Sequence, residues 1–292
     1  MWRHNSSTDQ IDVRWFQNRC EFCQSDLTMI SIPDRWPLNS KLLRQEHEDR
    51  VDDFAAYVED TYAEHREILS DFNVNDVQFR FCPACGWWCI IQDIYYQVPG
   101  RPYMAFNWAA GCLRNHLPSP IKLPANEIRQ LLSASYERRF SIEPHQIENV
   151  VASVFRSFGC NVEISKRSHD GGIDVFGLDG EGVPFGIQVK RYRNKVRIEE
   201  IRSFLGALLL QGNARGVFVT TSTFTKGASR LRNQARVAGI RLDYVDAERL
   251  LEMIKAAQIR DFDSSKVPDL AEEYACQIPS LQFGYCSHLG SL

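Results

Sequence analysis

The order of short apolar segments between residues 143 and 257 limits the possible folds more than any other feature. Apolar residues at every third or fourth position predict helices there, and short β-branched runs predict strands. The predicted helices are 143–158, 198–211, 226–237 and 247–257, and the predicted strands are 161–165, 173–178, 185–189, 216–221 and 240–245. We therefore expect an α/β fold, with a mixed central sheet flanked by helices.

Two Cys-x-x-Cys pairs in the N-terminal part predict a metal site. Cys20 and Cys23 form the first pair, and Cys82 and Cys85 form the second. Together they supply four thiolates, the ligand set of a structural Zn²⁺ ion. Strand-like runs at 77–81 and 87–97 flank the second pair, and residues 41–69 have helical periodicity. We expect a small zinc-ribbon-like module with a helical insertion.

The other cysteines do not extend this pattern. The chain has nine cysteines, and it shows neither an apolar leader nor an apolar run of membrane-spanning length, so we expect a cytoplasmic protein without disulfides or a membrane partner. Cys89, Cys112 and His116 could form a second metal site or replace a ligand, although packing as free thiols is the simpler interpretation. No metal-like spacing involves the remaining three, Cys160, Cys276 and Cys286.

Positive charge is concentrated in the C-terminal half. Residues 141–260 contain 18 Lys and Arg against 13 Asp and Glu, whereas the whole chain contains 34 and 37. Such asymmetry is a mild indication of a polyanionic partner. Five basic residues surround one tyrosine and are candidates for contact with backbone phosphates; a solvated charged loop is the alternative. These candidates are Lys190, Arg191, Tyr192, Arg193, Lys195 and Arg197.

Three polar side chains at strand ends form a candidate catalytic site. Asp174 opens a predicted buried strand, where an unpaired carboxylate would be costly. Gln188 and Lys190 end the next strand, and strand alternation puts them on the same face. A carboxylate, an amide oxygen and an ammonium at one point would suit Mg²⁺ and phosphodiester hydrolysis. The structural alternative is an ordinary salt bridge between Asp174 and Lys190.

Residues 141–250 resemble the Mrr-type restriction endonuclease domain, a branch of the PD-(D/E)xK nuclease superfamily. The matching stretches, in family order, are 144–148, 159–162, 170–175, 188–192 and 216–225. The combination of Asp-Gly-Gly-Ile-Asp with Gln-x-Lys is specific. The resemblance implies a restriction-endonuclease-like core that hydrolyses DNA with Mg²⁺ in restriction or antiviral defence. DNA is the implied partner, together with a second copy of the chain or a partner defence protein.

The same resemblance implies a role for each site residue. Asp174 is then the metal-binding aspartate, Gln188 takes the place of the second carboxylate, and Lys190 is the catalytic lysine. Glu148, on the first predicted helix, helps to hold the metal; the alternative is a solvated helix residue. His169 is either a general base or a surface histidine.

Several alternatives stay open. Thr220, Thr221, Ser222 and Thr225 could contact phosphate, and helix capping explains them equally well. The rival function is a non-catalytic DNA-binding or protein-interaction module on a nuclease fold, and a second rival is an RNA-directed nuclease.

The expected organisation has four segments. Residues 1–120 form the zinc-ribbon-like module, and residues 121–140 form a linker that contains a short helix. The Mrr-like nuclease domain covers 141–260, and 261–292 form a C-terminal tail. Pro118, Pro120 and Pro124 mark the linker.

Overall fold

The computed structural model describes residues 18–20, 23–32, 72–74, 77–98, 101–112, 123–165 and 172–270. The predicted helix at 41–69 and the candidate His169 lie outside these ranges. The chain divides into two units, one of which is His116–Phe262, while the other combines Met1–Asn115 with Asp263–Leu292. In the described ranges, no helix has both the length and the apolar character needed to cross a membrane.

The N-terminal unit contains an antiparallel sheet. Its strands are β1 (Thr28–Ile32), β2 (Phe72–Val74), β3 (Val77–Phe81), β4 (Trp87–Val98) and β5 (Arg101–Cys112). The order is β1-β3-β4-β2, and β5 also pairs with β4. The strands predicted at 77–81 and 87–97 are confirmed. β5 is not among the predicted strands.

The second unit contains a five-stranded mixed sheet. Its elements are α1 (Ala125–Ala134), a 3₁₀ helix (Tyr136–Phe140), α2 (Pro144–Ser157), β6 (Asn161–Ile164), β7 (Val175–Leu178), β8 (Pro184–Lys190), α3 (Ile198–Leu210), β9 (Arg215–Thr220), α4 (Lys226–Val237), β10 (Arg241–Val245) and α5 (Ala247–Asp261). The order is β10-β9-β8-β7-β6. β8, β9 and β10 are parallel to one another, whereas β7 is antiparallel to both of its neighbours, β6 and β8. The predicted mixed sheet is confirmed.

Two apolar cores cover the two faces of this sheet. Phe185, Ile187 and Val189 of β8 pack into a core that includes residues of α1, α2 and α5. The opposite core contains Phe204 and Leu208 of α3 together with residues of α4. Side chains alternate along a strand, so the residues between the three apolar ones in β8 face α3. Gln188 therefore lies on the α3 side of the sheet.

The segment predicted to be a linker, residues 121–140, contributes to the core of the second unit in its described part. Ile128, Leu131 and Leu132 of α1 are buried in the core shared with α2 and α5. Arg129, also buried, donates hydrogen bonds to Ser157 (2.8 Å) and to Asp261 (2.7 Å). Three apolar residues at helical spacing form a stripe that must be covered. α1 is thus part of the second unit, although the neighbouring prolines suggested a spacer.

The close approach of α3 to β9 predicts opposite effects for two alanine substitutions. A Cβ at Gly216 would lie 2.4 Å from Leu208 and 3.0 Å from the Phe204 ring. We expect Gly216→Ala to lower the free energy of unfolding by about 1–3 kcal/mol through overpacking. Gly206→Ala, in the helix α3 and facing open space, should raise it by roughly 0.5–1 kcal/mol. Urea unfolding of both variants tests this, and equal effects would contradict it.

Candidate functional site

Asp174 is bound to β8 on both sides of Gln188. It occupies a bend directly before β7, and its N–H donates to the carbonyl of Ile187 (2.8 Å). Its carboxylate Oδ2 accepts a hydrogen bond from the N–H of Val189 (2.6 Å). Ile187 and Val189 are the two neighbours of Gln188 in β8. The structure therefore has Asp174 beside the backbone of Gln188, held by one main-chain bond and one bond to its carboxylate.

Gln188 is buried and Lys190 is half-buried at the end of the same strand. Gln188 is 6% exposed, and its Nε2 would lie 3.6 Å from a Cβ placed on Gly172. The same Cβ would lie 3.5 Å from Ala207 of α3. The Gln188 side-chain amide is therefore close to the place where Gly172 approaches α3. Lys190 is two residues further along, on the same face.

The salt-bridge alternative does not describe this site. No ion pair between described residues joins Asp174 to Lys190, and the carboxylate instead accepts the amide of Val189. The β8 backbone thus orients the Asp174 carboxylate, and a metal-binding role for Asp174 stays a prediction.

Glu148 is half-buried on α2, next to the buried Ile147. The 3₁₀ helix before α2 is bound to the carboxyl ends of the strands, because Arg191 donates to the carbonyl of Phe140 and Arg139 Nε donates to that of Thr221 (3.1 Å). The start of α2 is therefore at the same end of the sheet as Lys190. The position of Glu148 in the second turn agrees with a metal-holding role, which stays a prediction.

Hydroxyl groups at the end of β9 hold the backbone of residues 190–197, which we call the basic loop. Thr220 Oγ1 donates to the carbonyl of Lys190 (3.0 Å), Thr221 Oγ1 to that of Tyr192 (3.0 Å), and Ser222 Oγ to that of Arg193 (3.2 Å). Thr225 Oγ1 accepts from the N–H of Ala228 and caps α4. These contacts favour the capping and structural interpretation of the four hydroxyls over phosphate contact.

The five predicted phosphate contacts in the loop beyond Lys190 are not equivalent. Arg191 is half-buried and donates to the carbonyl of Phe140, so its first role is to join the loop to the 3₁₀ helix. The Arg193 guanidinium lies 4.3 Å from the Phe140 ring centroid. Arg197 forms an exposed ion pair with Glu199 (3.9 Å), and Lys195 is exposed.

Tyr192 of the basic loop lies near Glu200 in the first turn of α3. Tyr192 packs against the core beneath α3 and α4, and its burial, followed by the nearby Glu200 carboxylate, raises the pKa of its hydroxyl. The Glu200 Oε2 atom is buried without a hydrogen-bond partner among the described residues. The sequence did not single out Glu200, because a glutamate in the first turn of a helix is common for dipole reasons.

The four cysteine thiols of the N-terminal unit converge as predicted. All four are buried, and their sulfurs lie within 4.8 Å of one another. Cys20 Sγ is 3.4 Å from Cys85 Sγ, and Cys23 Sγ is 3.4 Å from Cys82 Sγ. Zinc–sulfur bonds of about 2.3 Å separate two sulfurs of a tetrahedron by about 3.8 Å. The donor set and its spacing fit a structural Zn²⁺ ion.

The two Cys-x-x-Cys turns have the same backbone bonding. Cys20 N–H donates to Ser25 O (2.8 Å) and Gln24 N–H to Cys20 O (2.9 Å). In the second turn, Cys82 N–H donates to Trp87 O (2.7 Å) and Gly86 N–H to Cys82 O (2.8 Å). The residue after the second cysteine has a positive φ in both, 61° at Gln24 and 76° at Gly86. Both turns thus aim two sulfurs at one point.

Electrostatics favour a cation between these sulfurs. Hydrogen bonds from Cys20 and then Cys82 hold the pKa of Cys23 far below its usual range, whereas those with Cys20 and Cys23 raise the pKa of Cys85. Without a cation, some of the thiols must keep their protons to stabilise their neighbours. Cys89 is outside this cluster, and burial raises the pKa of its thiol to about 12. This agrees with its interpretation as a packed free thiol.

A family of known proteins matches part of the second unit, and two curated proteins align with part of the chain. Residues 140–254 match the restriction endonuclease family of Mrr catalytic domains. The type IV methyl-directed restriction enzyme EcoKMrr of Escherichia coli (strain K12) is 35% identical over 147 residues, which are 47% of this chain and 47% of that protein. The uncharacterized protein y4cE of Sinorhizobium fredii is 24% identical over 129 residues, 42% of this chain and 32% of that protein.

The chain spans about half or less of the length of these curated relatives. Among solved structures, the DNA modification-dependent restriction endonuclease AspBHI aligns with a TM-score of 0.37 at 14% identity, over 86% of this chain and 78% of that one. The sequence match covers the stretch that carries Asp174, Gln188 and Lys190. Residues 140–254 are thus similar to the Mrr-type restriction endonuclease domain.

Proposed function

We propose that this protein is a metal-dependent endonuclease that hydrolyses DNA phosphodiester bonds in the restriction of foreign DNA. One observation carries the proposal: Asp174 is bound to β8 on both sides of Gln188. Gln188 is two residues before Lys190 in the same strand, and all three residues lie in the stretch that matches a restriction endonuclease family. The metal, the substrate and the roles of the individual residues belong to the proposal.

Asp174, Gln188 and Glu148 would hold Mg²⁺ through oxygen atoms, the donors that this ion prefers. When bound, the ion polarises the phosphodiester and makes a coordinated water more acidic. The bond from the Val189 amide fixes the orientation of the Asp174 carboxylate. Because the amide of Gln188 is neutral, this site has one negative charge fewer than a site with two strand carboxylates. The negative charge of Glu148 would therefore contribute more to metal binding.

Lys190 would act on the reacting groups. Its ammonium, at the end of β8, would orient the attacking water or offset the charge that develops on the phosphate, and in its neutral amine form the side chain would accept a proton from that water. Exposed Lys195 and Arg193 in the basic loop would contact neighbouring backbone phosphates. Three further residues of the loop would support that contact, although each also has a contact within the protein. Arg191 donates to the carbonyl of Phe140, Tyr192 packs against the core, and Arg197 pairs with Glu199.

A second copy or partner and the N-terminal unit would also have roles in the proposed function. One active site cuts one strand, so double-strand cleavage needs a second copy of the chain or a partner defence protein. The four thiols would bind Zn²⁺ and hold together a module that recognises DNA or a partner. Because EcoKMrr is named as methyl-directed, methylated DNA is the first substrate to test.

Metal-dependent cleavage of supercoiled plasmid tests the proposal. The full chain should nick or linearise methylated or unmethylated plasmid with Mg²⁺ and not with excess EDTA. Glu148→Gln should raise the Mg²⁺ concentration for half-maximal cleavage, on the order of tenfold, whereas Glu252→Gln on the exposed side of α5 should not. Cleavage of neither plasmid would favour the non-catalytic rival, and cleavage of RNA alone would favour the RNA-directed one.

A further inference from the structure

Helix α4 has an entirely basic charged surface. Its charged residues are Lys226, Arg230, Arg232 and Arg236, and it contains no Asp or Glu. All four are exposed, and none of them forms an ion pair with another residue that the structure describes. The face towards the core is narrow and consists of small and aliphatic residues, Ala228, Leu231 and Ala235.

The neighbouring helix α5 shows that this is a feature of α4 and not of the whole unit. α5 has charges of both signs, with Glu248, Glu252 and Asp261 beside Arg249, Lys255 and Arg260. Interspersed charges of both signs are the ordinary composition of a solvated surface. Four positive charges without a negative one on a twelve-residue helix repel one another unless a polyanion neutralises them.

The basic surface of α4 is directly next to the basic loop. Val196 N–H donates to Thr223 O (2.8 Å), and Thr225 N–H donates to Val196 O (3.0 Å), so the loop pairs with the residues that precede α4. The two neighbours of Val196, Lys195 and Arg197, are exposed. Positive charge therefore extends from the catalytic strand end, through the loop, to the first turn of α4.

A concave basic surface lies at the other end of α4. A cavity of about 500 Å³ there is lined by Arg232, Asn233, Arg236 and Arg241, among others. Arg241 shares an exposed ion pair with Asp243 (3.6 Å), which offsets its charge, whereas Arg236 has no such partner in the described part of the chain. Arginine guanidinium groups in a concave surface match the geometry of phosphate.

We propose that α4 and this cavity form a second DNA-contact surface, which binds backbone phosphates of the duplex beyond the basic loop. The proposal rests on the proposed function, because it takes DNA as the substrate. From Lys226 to Arg236 the helix rises about 15 Å at about 1.5 Å per residue. Consecutive phosphates of one strand are about 3.4 Å apart along the duplex axis, so the surface spans on the order of four phosphates.

The salt dependence of DNA binding tests this surface. The double variant Arg230→Gln, Arg236→Gln is compared with Arg249→Gln, Arg260→Gln on α5, which removes the same net charge. Affinity for a fluorescent duplex is measured without Mg²⁺ between about 50 and 200 mM salt. The slope of log K against log salt should fall by roughly 1.8 for two lost phosphate contacts in the α4 variant, and stay at the wild-type value in the α5 variant.

Each outcome has one meaning. Equal slopes for the α4 and α5 variants, with wild-type protein that binds and cuts DNA, would overturn the second surface and leave the proposed function intact. Wild-type protein that neither binds nor cuts DNA would overturn both. Circular dichroism spectra equal to those of the wild type ensure that a lower slope reports lost contacts. The loss should be the same for unrelated duplex sequences, because phosphate contacts carry no base information.

Discussion

Replacing Lys190 with methionine should lower DNA cleavage by at least about 10²–10³-fold, the scale on which single charge-stabilising groups act in enzymes. Methionine keeps the length and the apolar part of the side chain. Lys190 is half-buried at the end of β8, and its carbonyl, which accepts from Thr220 Oγ1 (3.0 Å), is unchanged by the substitution. The fold should therefore survive, and only the ammonium is lost from the proposed site.

Asp174→Asn should abolish cleavage for a different reason. The asparagine amide oxygen can still accept the N–H of Val189, which in the native protein is 2.6 Å from the Asp174 carboxylate. The strand ends should therefore stay in place, while the charge that would hold Mg²⁺ is removed. Titration calorimetry should show Mg²⁺ binding lost in Asp174→Asn and retained in Lys190→Met, which separates metal binding from the chemical step.

Lys195→Met is the matched control for Lys190→Met. Lys195 is in the same loop and exposed, so it loses the same charge outside the proposed catalytic centre. We expect a modest loss of DNA affinity and cleavage within about tenfold of wild type at saturating DNA. If Lys190→Met and Lys195→Met cut plasmid equally well, Lys190 would have no catalytic role. Activity of Asp174→Asn at the wild-type level would remove the metal site from the proposal.

The second large effect is expected at the cysteine cluster. Cys82→Ser removes one of four converging sulfurs. These sulfurs form two pairs, each joining one turn to the other, and the two sulfurs of each pair are 3.4 Å apart. Structural zinc contributes about 10–16 kcal/mol of binding free energy in small zinc domains, far more than the few kcal/mol that most single substitutions change. The variant should lose the zinc that metal analysis finds at about one per chain in the wild type.

Loss of zinc should also unfold the N-terminal unit. Trp87 and Trp88 are buried next to the second turn, so their fluorescence should shift to longer wavelength in Cys82→Ser or after prolonged chelation. Cys89→Ala is the control, since Cys89 is equally buried but outside the four-sulfur cluster. Wild-type zinc content in Cys82→Ser would contradict the site, and so would equal zinc loss in Cys89→Ala.

The elements of the second unit could be read from sequence because their burial pattern is local. α4 begins and ends at the predicted residues, and β8 extends the predicted strand by one residue at each end. Apolar periodicity records which side of each element is buried. The convergence of the four thiols followed from spacing and ligand chemistry, and it is confirmed; the zinc ion itself stays a prediction.

The remaining differences depend on tertiary contacts. The proline-rich approach to α1 suggested a spacer, yet Ile128 and Leu132 are buried between α2 and α5. No local pattern shows that Arg191 donates to the carbonyl of Phe140, 51 positions earlier in the chain. Likewise, Asp174 was predicted inside a strand, and the structure has it in a bend whose bonds to β8 orient the carboxylate. Such long-range bonds carry no periodic signal.

The hydroxyl groups that hold the basic loop have an evolutionary consequence. Thr220, Thr221 and Ser222 bind the loop through its main-chain carbonyls, so much of its conformation does not depend on its own side chains. Position 195, whose side chain is exposed, can therefore exchange residues without loss of the loop's shape. Related chains could thus vary the charge that they present at this position while the backbone of the loop stays constant.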